Sequence, residues 1–115
     1  MDSAQSRANK AKGRTAENQV VEYLTSRGYT GVERRRLAGV NDKGDIAGIR
    51  DLVIEVKAQR SINLASFVDE ANTEAANAGG IGVAWIKRRG KGSPKDWYVA
   101  MDGETFIKFL NSWQR

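Results

Sequence analysis

The segment Gly44-Asp45-Ile46-Ala47-Gly48-Ile49-Arg50-Asp51-Leu52-Val53-Ile54-Glu55-Val56-Lys57 constrains this chain more than any other part of it. It reads as two strands folded into a hairpin around Arg50. Leu52, Ile54 and Val56 then share one face of the second strand, and Val53, Glu55 and Lys57 the other. An otherwise apolar strand therefore projects an acid and a base toward one place.

The register of the hairpin decides the part Asp45 plays. A loop of Ile49, Arg50 and Asp51 sets Asp45 opposite Glu55, with their Cβ atoms about 5 Å apart on one face. A two-residue Arg50-Asp51 loop sends Asp45 to the far face, so a shared site requires the longer loop or a bulge. Two facing carboxylates repel unless a cation lies between them. Together with a backbone carbonyl, such as that of Val56, and waters they satisfy octahedral Mg²⁺. Such a cation stabilises the charge that develops in phosphodiester hydrolysis and acidifies a bound water. Lys57 could orient or help deprotonate that water, or stabilise the pentacovalent phosphate. The plainer alternative is a cross-strand ion pair, Glu55 or Asp45 with Lys57, on a solvated sheet face.

Composition narrows the chemistry. The chain has no Cys and no His, which excludes disulfides, thiolate nucleophiles, imidazole bases and the usual zinc sites. A metal would be held by oxygen, which favours Mg²⁺ or Mn²⁺. Lys and Arg number 19 against 14 Asp and Glu, a net charge of +5, which suits a polyanion such as DNA. The basic residues cluster: Arg7, Lys10, Lys12 and Arg14; Arg34, Arg35 and Arg36; and Lys87, Arg88, Arg89, Lys91 and Lys95. The loop from Lys87 to Lys95, loosened by Gly90 and Gly92, is the first candidate for phosphate contact, then Arg34 to Arg36, then the N-terminal arm. No stretch approaches the roughly 18 apolar residues of a spanning helix, and MDSAQSRANK has no apolar signal core. A cytoplasmic protein without a membrane partner is expected.

At 115 residues the chain has the size of one domain, read as residues 13–115 preceded by a basic extension over 1–12. The spacing of Val20, Val21 and Leu24 predicts a helix over Thr15 to Arg27, stopped by Gly28, with Glu17 on or beside its inward face. A strand is expected over Val32 to Leu37. A second helix runs from Leu64 to Ala78 on Leu64, Phe67, Val68, Ala71 and Ala75, capped by Asn63 and stopped by Gly79-Gly80. Ile81 to Lys87 and Trp97 to Met101 read as a second hairpin across the loop 88–96. Asp102 caps a last helix whose Phe106, Phe109, Leu110 and Trp113 close over the sheet. Trp85, Trp97, Phe106, Phe109 and Trp113 are read as core or dimer-interface aromatics.

Gly44-Asp45-Ile46 followed by Ile54-Glu55-Val56-Lys57-Ala58-Gln59 resembles the metal-site signature of the PD-(D/E)xK nuclease superfamily, with Gly44 in place of the signature's Pro. The inferred order αβββαβ matches its core, so the resemblance implies an α/β, restriction-endonuclease-like fold with a mixed central sheet flanked by helices. It covers roughly residues 13 to 112. Small size and Glu17 on the first helix look like archaeal-type Holliday junction resolvases and bacteriophage resolvase-like endonucleases. Trp85-Ile86-Lys87-Arg88-Arg89-Gly90-Lys91 and Trp97-Tyr98-Val99 are similar to the phage branch, which would place the protein in a host cytoplasm. The resemblance implies metal binding by Asp45 and Glu55, Lys57 at the scissile phosphate, Glu17 as a further acidic member, and Gln59 at a position where some branches keep a Gln. It also implies cleavage of four-way or other branched DNA. Two symmetric cuts by chains with one site each imply a two-fold homodimer.

Overall fold

A computed structural model describes residues 3–35 and 44–114. Its elements are α1 (Ser3–Ser26), β1 (Glu33–Arg34), β2 (Ile46–Ala47), β3 (Leu52–Lys57), α2 (Leu64–Ala78), β4 (Ile81–Ile86), β5 (Tyr98–Ala100) and α3 (Gly103–Trp113). One five-stranded sheet in the order β1-β2-β3-β4-β5 carries them. Neighbours pair antiparallel except the central β3 and β4, which run parallel through Leu52–Ile81 to Lys57–Ile86. The chain is therefore α/β with a mixed sheet and three helices.

The parallel centre explains why β3 and β4 read as nearly continuous apolar runs. A parallel pair needs a crossover, here α2, and helices then cover both faces. On one face Ala16, Val20 and Leu24 of α1 pack on Ile54, Val56, Val83, Trp85 and Trp97. On the other, Phe67 of α2 meets Ala84 and Ile86. Gly82 permits the close approach of α2, since a Cβ there would collide with the Ala71 carbonyl and press on Ala75.

Helix α2 has the predicted bounds. The Asn63 side chain accepts from the Ser66 N–H at 3.1 Å, and Gly79 ends the helix in the left-handed region. Three expectations change. Helix α1 begins at Ser3, so residues 3–12 continue the helix that contains Glu17, with no break at residue 12. Leu64, expected on the packing face, is exposed in the first turn of α2, and Glu74 is buried on that face instead. Helix α3 does not seal the sheet: Thr105 is its buried residue, while Phe106 is 51% and Trp113 79% exposed. The sheet face is already filled by α1 and α2, so the aromatic stripe of α3 has little surface left to cover. Among the described residues no helix is long and apolar enough to cross a membrane.

Candidate active site

The hairpin turn is the two-residue one, closed around Arg50 and Asp51 from the Leu52 N–H to the Ile49 carbonyl at 3.3 Å. Ile46 nevertheless lies opposite Ile54, so Ala47 and Gly48 face Val53 alone, and this one-residue bulge gives the register that brings Asp45 to the side of Glu55. Asp45 is clamped on three sides. Its N–H donates to the Ile54 carbonyl at 2.9 Å, and its carbonyl accepts from the Arg35 N–H at 2.7 Å. Its Oδ2 accepts from the Val56 N–H at 2.7 Å. Gly44 makes the entry possible. Its φ is +100°, and a Cβ would lie 2.6 Å from Val53 Cγ1, so only glycine fits without strain.

Glu55 is 3% and Asp45 8% exposed. The strand face that bears Glu55 lies under α2, so the alternative of an ion pair on a solvated face does not hold. Burial is the main force raising both acids. Asp45 is pushed up to about 7, against the lowering effect of the Val56 N–H, with Glu17 and Glu74 adding repulsion. Glu55 is pushed well above the carboxylate range by burial, its side-chain hydrogen bond with Glu74 and the charge of Asp45. Burial pulls Lys57 down, but Glu70, Glu55 and Asp45 outweigh it and hold the ammonium above the ordinary lysine value.

Lys57 Nζ is 3.8 Å from Glu55 Oε1 and forms a closer ion pair with Glu70. It also lies 5.5 Å from the centroid of the Phe67 ring. Glu17 reaches the same place from α1 and pairs with Arg34, Nε to Oε1 at 2.9 Å. An open cavity of about 620 Å³ collects these groups: Asp45, Glu55, Val56 and Lys57 line it, with Glu17 and Glu70 on its sides and Gln59 exposed beside it.

The donors suit a hard divalent cation. All are oxygens, Glu55 Oε2 is buried without a hydrogen-bond partner, and the four acids Glu17, Asp45, Glu55 and Glu70 share the cavity with the cations Lys12, Lys57 and Arg60. Asp45, Glu55 and the Val56 carbonyl are the groups that could hold it.

The basic residues separate in the fold. Lys12 and Arg60 line both the main cavity and an adjoining recess of about 310 Å³, which also shares Ala58 and Gln59 with it and adds Lys87 and Arg89. A cationic track thus leads away from the acids. Arg88 lies over the Tyr98 ring at 5.5 Å and Lys87 over Trp97 at 5.8 Å. Arg14, Lys91 and Lys95 are exposed and do not line the cavity. Arg34 is committed to Glu17, Arg35 has its Nε buried without a partner, and Arg36 lies outside the described residues. The loop 88–96, expected to be loosened by its glycines, is pinned. Gln19 donates to the Gly92 carbonyl at 3.0 Å, Trp97 to that of Lys91 at 2.8 Å, and Trp85 to that of Pro94 at 3.2 Å.

Sequence reasoning missed Glu70 and Glu74. Their signal was present: Glu74 lies three residues from Ala71 and seven from Phe67, at helical spacing on the packing face, the same pattern that placed Glu17 on the inward face of α1. Arg60 was missed because nothing local marks a lone Arg after a strand. Compared with protein families, with curated proteins and with solved structures, the chain finds no match in any of the three.

Proposed function

We propose that this protein is a metal-dependent DNA endonuclease with a restriction-endonuclease-like PD-(D/E)xK core, acting on branched DNA and on four-way junctions in particular. One observation carries the reading: Asp45, Glu55 and Lys57 converge at one cavity, with both carboxylates buried and raised. Groups so desolvated beside a specific charge partner in a cleft are marks of a functional site.

Asp45, Glu55 and the Val56 carbonyl hold Mg²⁺ or Mn²⁺ in this reading. When bound, the cation supplies charge neutralisation at the phosphate and a more acidic water. Lys57 contributes a fixed positive charge at the scissile phosphate, and the hydrogen bond from Val56 fixes the direction of the Asp45 carboxylate. Glu17 adds acidic charge to the cavity and is itself oriented by Arg34. Gln59 stands where the cavity meets the cationic track and is suited to contact the substrate backbone. Lys12, Arg60, Lys87 and Arg89 receive that backbone without reading bases. A two-fold homodimer completes the reading, because symmetric cuts need two sites.

The competing reading is a catalytically silent DNA-binding module. The ion pair of Lys57 with Glu70 favours it, since it engages the ammonium that the chemistry requires. End-labelled four-way junction and matched linear duplex, each incubated with Mg²⁺ or EDTA and resolved on a denaturing gel, decide between them. Paired Mg²⁺-dependent nicks confined to the junction support the resolvase. Equal cutting of both substrates means a broader nuclease, and binding without cutting means the silent module.

A further inference from the structure

Helix α2 brings a second set of carboxylates to the same strand. One oxygen each of Glu55, Glu70 and Glu74 lie within 4.8 Å of one another. Glu70 and Glu74 are one helical turn apart, and both reach toward Glu55 on β3. Two further observations bear on what this cluster takes. Glu55 Oε2 is buried and has no hydrogen-bond partner, in a side chain only 4% exposed. The cluster already attracts a cation of the chain's own, the Lys57 ammonium, which pairs with Glu70 and lies 3.8 Å from Glu55.

We infer that Glu55, Glu70 and Glu74 form a second divalent-cation position, separate from that of Asp45 and the Val56 carbonyl, with Glu55 shared between the two and the Lys57 ammonium as its occupant until an ion displaces it. The donor set is all oxygen and takes Mg²⁺ or Mn²⁺. Separations below 4.8 Å are close to what ligands around one such ion need, since ligand distances of about 2.0–2.2 Å put opposing oxygens at roughly 4.2 Å. Glu70 is half exposed, so an ion can enter from solvent. Entry of the ion breaks the Lys57–Glu70 pair and frees the ammonium within the cavity. The inference shares Glu55 with the proposed nuclease site but does not require cleavage.

Mn²⁺ binding to the full chain, followed by the loss of the free-ion electron paramagnetic resonance signal, tests it. The wild type should take up two ions. Glu70→Gln and Glu74→Gln should each weaken one of them by at least roughly ten-fold and leave the other. Asp45→Asn should weaken the ion that those two spare. Unchanged Mn²⁺ uptake in Glu70→Gln overturns the inference, and because Glu70 is half exposed this variant decides the matter even if Glu74→Gln fails to fold. One ion in the wild type, lost in Asp45→Asn alone, also overturns it while leaving the nuclease reading intact. Two ions insensitive to Asp45→Asn, with one lost in Glu70→Gln, sustain the inference and remove Asp45 from the nuclease reading.

Discussion

The carboxylate of Asp45 accepts the backbone N–H of Val56 across the hairpin at 2.7 Å. This bond joins the end of β2 to the strand that carries Glu55 and Lys57, so the position of one acid depends on the backbone of the next. It uses one Asp45 oxygen and leaves the other for a ligand.

Asp45→Asn keeps an oxygen able to accept from Val56, so it should fold while losing charge. Cleavage of junction DNA should fall by about 10²–10⁴-fold in Asp45→Asn, Glu55→Gln and Lys57→Met. In the metal-free protein Asp45→Asn and Glu55→Gln should raise Tm, because each removes a buried, repelled acid. A fall in Tm in both would mean that these carboxylates are structural.

The pH dependence has a definite sign. Asp45 and Glu55 have folded-state pKa values above their ordinary ones. Their contribution to stability is therefore complete below the ordinary carboxylate values and is lost as pH rises, for Asp45 through about 7. Metal-free Tm should decline from pH 5 toward pH 8. Mg²⁺ binds the deprotonated acids, so the Tm increment it gives should grow over the same interval. Thermal melts with Mg²⁺ and with EDTA across this range check both slopes.

Gly44→Ala should cost about 1–3 kcal/mol of stability, from its left-handed φ and the contact with Val53. Gly44→Pro, which would restore the usual first residue of the signature, should be worse, since proline fixes φ near −65°. Cleavage should fall further than stability accounts for, measured where each variant remains folded, because Asp45 is displaced.

Neutralising Lys87, Arg89, Lys12 or Arg60 should weaken junction binding uniformly across sequences. The slope of log affinity against log salt should fall by about one per cation removed. Arg34→Gln should behave differently, because Arg34 is paired with Glu17, and should alter cleavage more than the salt slope. Filter binding over a salt series separates the two.

The aromatic residues also divide. Trp85→Ala should cost about 3–5 kcal/mol, since Trp85 is buried in the main core and its ring meets Tyr23 edge-on. Trp113→Ala should change monomer stability by less than about 0.5 kcal/mol, because the side chain is exposed. Light scattering on the same variant tests whether α3 and the edge strand β5 form the two-fold contact. An unchanged dimer in Trp113→Ala and Phe106→Glu excludes that face.

The sequence by itself determined the order of elements, the bounds of α2, the strand that carries Glu55 and Lys57, and the oxygen-only donor chemistry. These follow from local quantities: periods of 2 and 3.6, capping residues, and the absence of Cys and His. It left the hairpin register as two alternatives, because a slip of one residue reverses every side chain. Tertiary structure chose a two-residue turn, in which Asp51 takes a φ of 63°, followed by a one-residue bulge, and the Val56–Asp45 bond holds Asp45 on the side of Glu55. Only tertiary structure decided that α2 covers the acidic face and brings Glu70 and Glu74 to Glu55 and Lys57, that Arg34 is spent on Glu17, and that Trp113 faces solvent. Those contacts join residues 13 to 19 positions apart, and the direction in which a helix packs on a sheet is set by the filled volume of the core rather than by any local pattern.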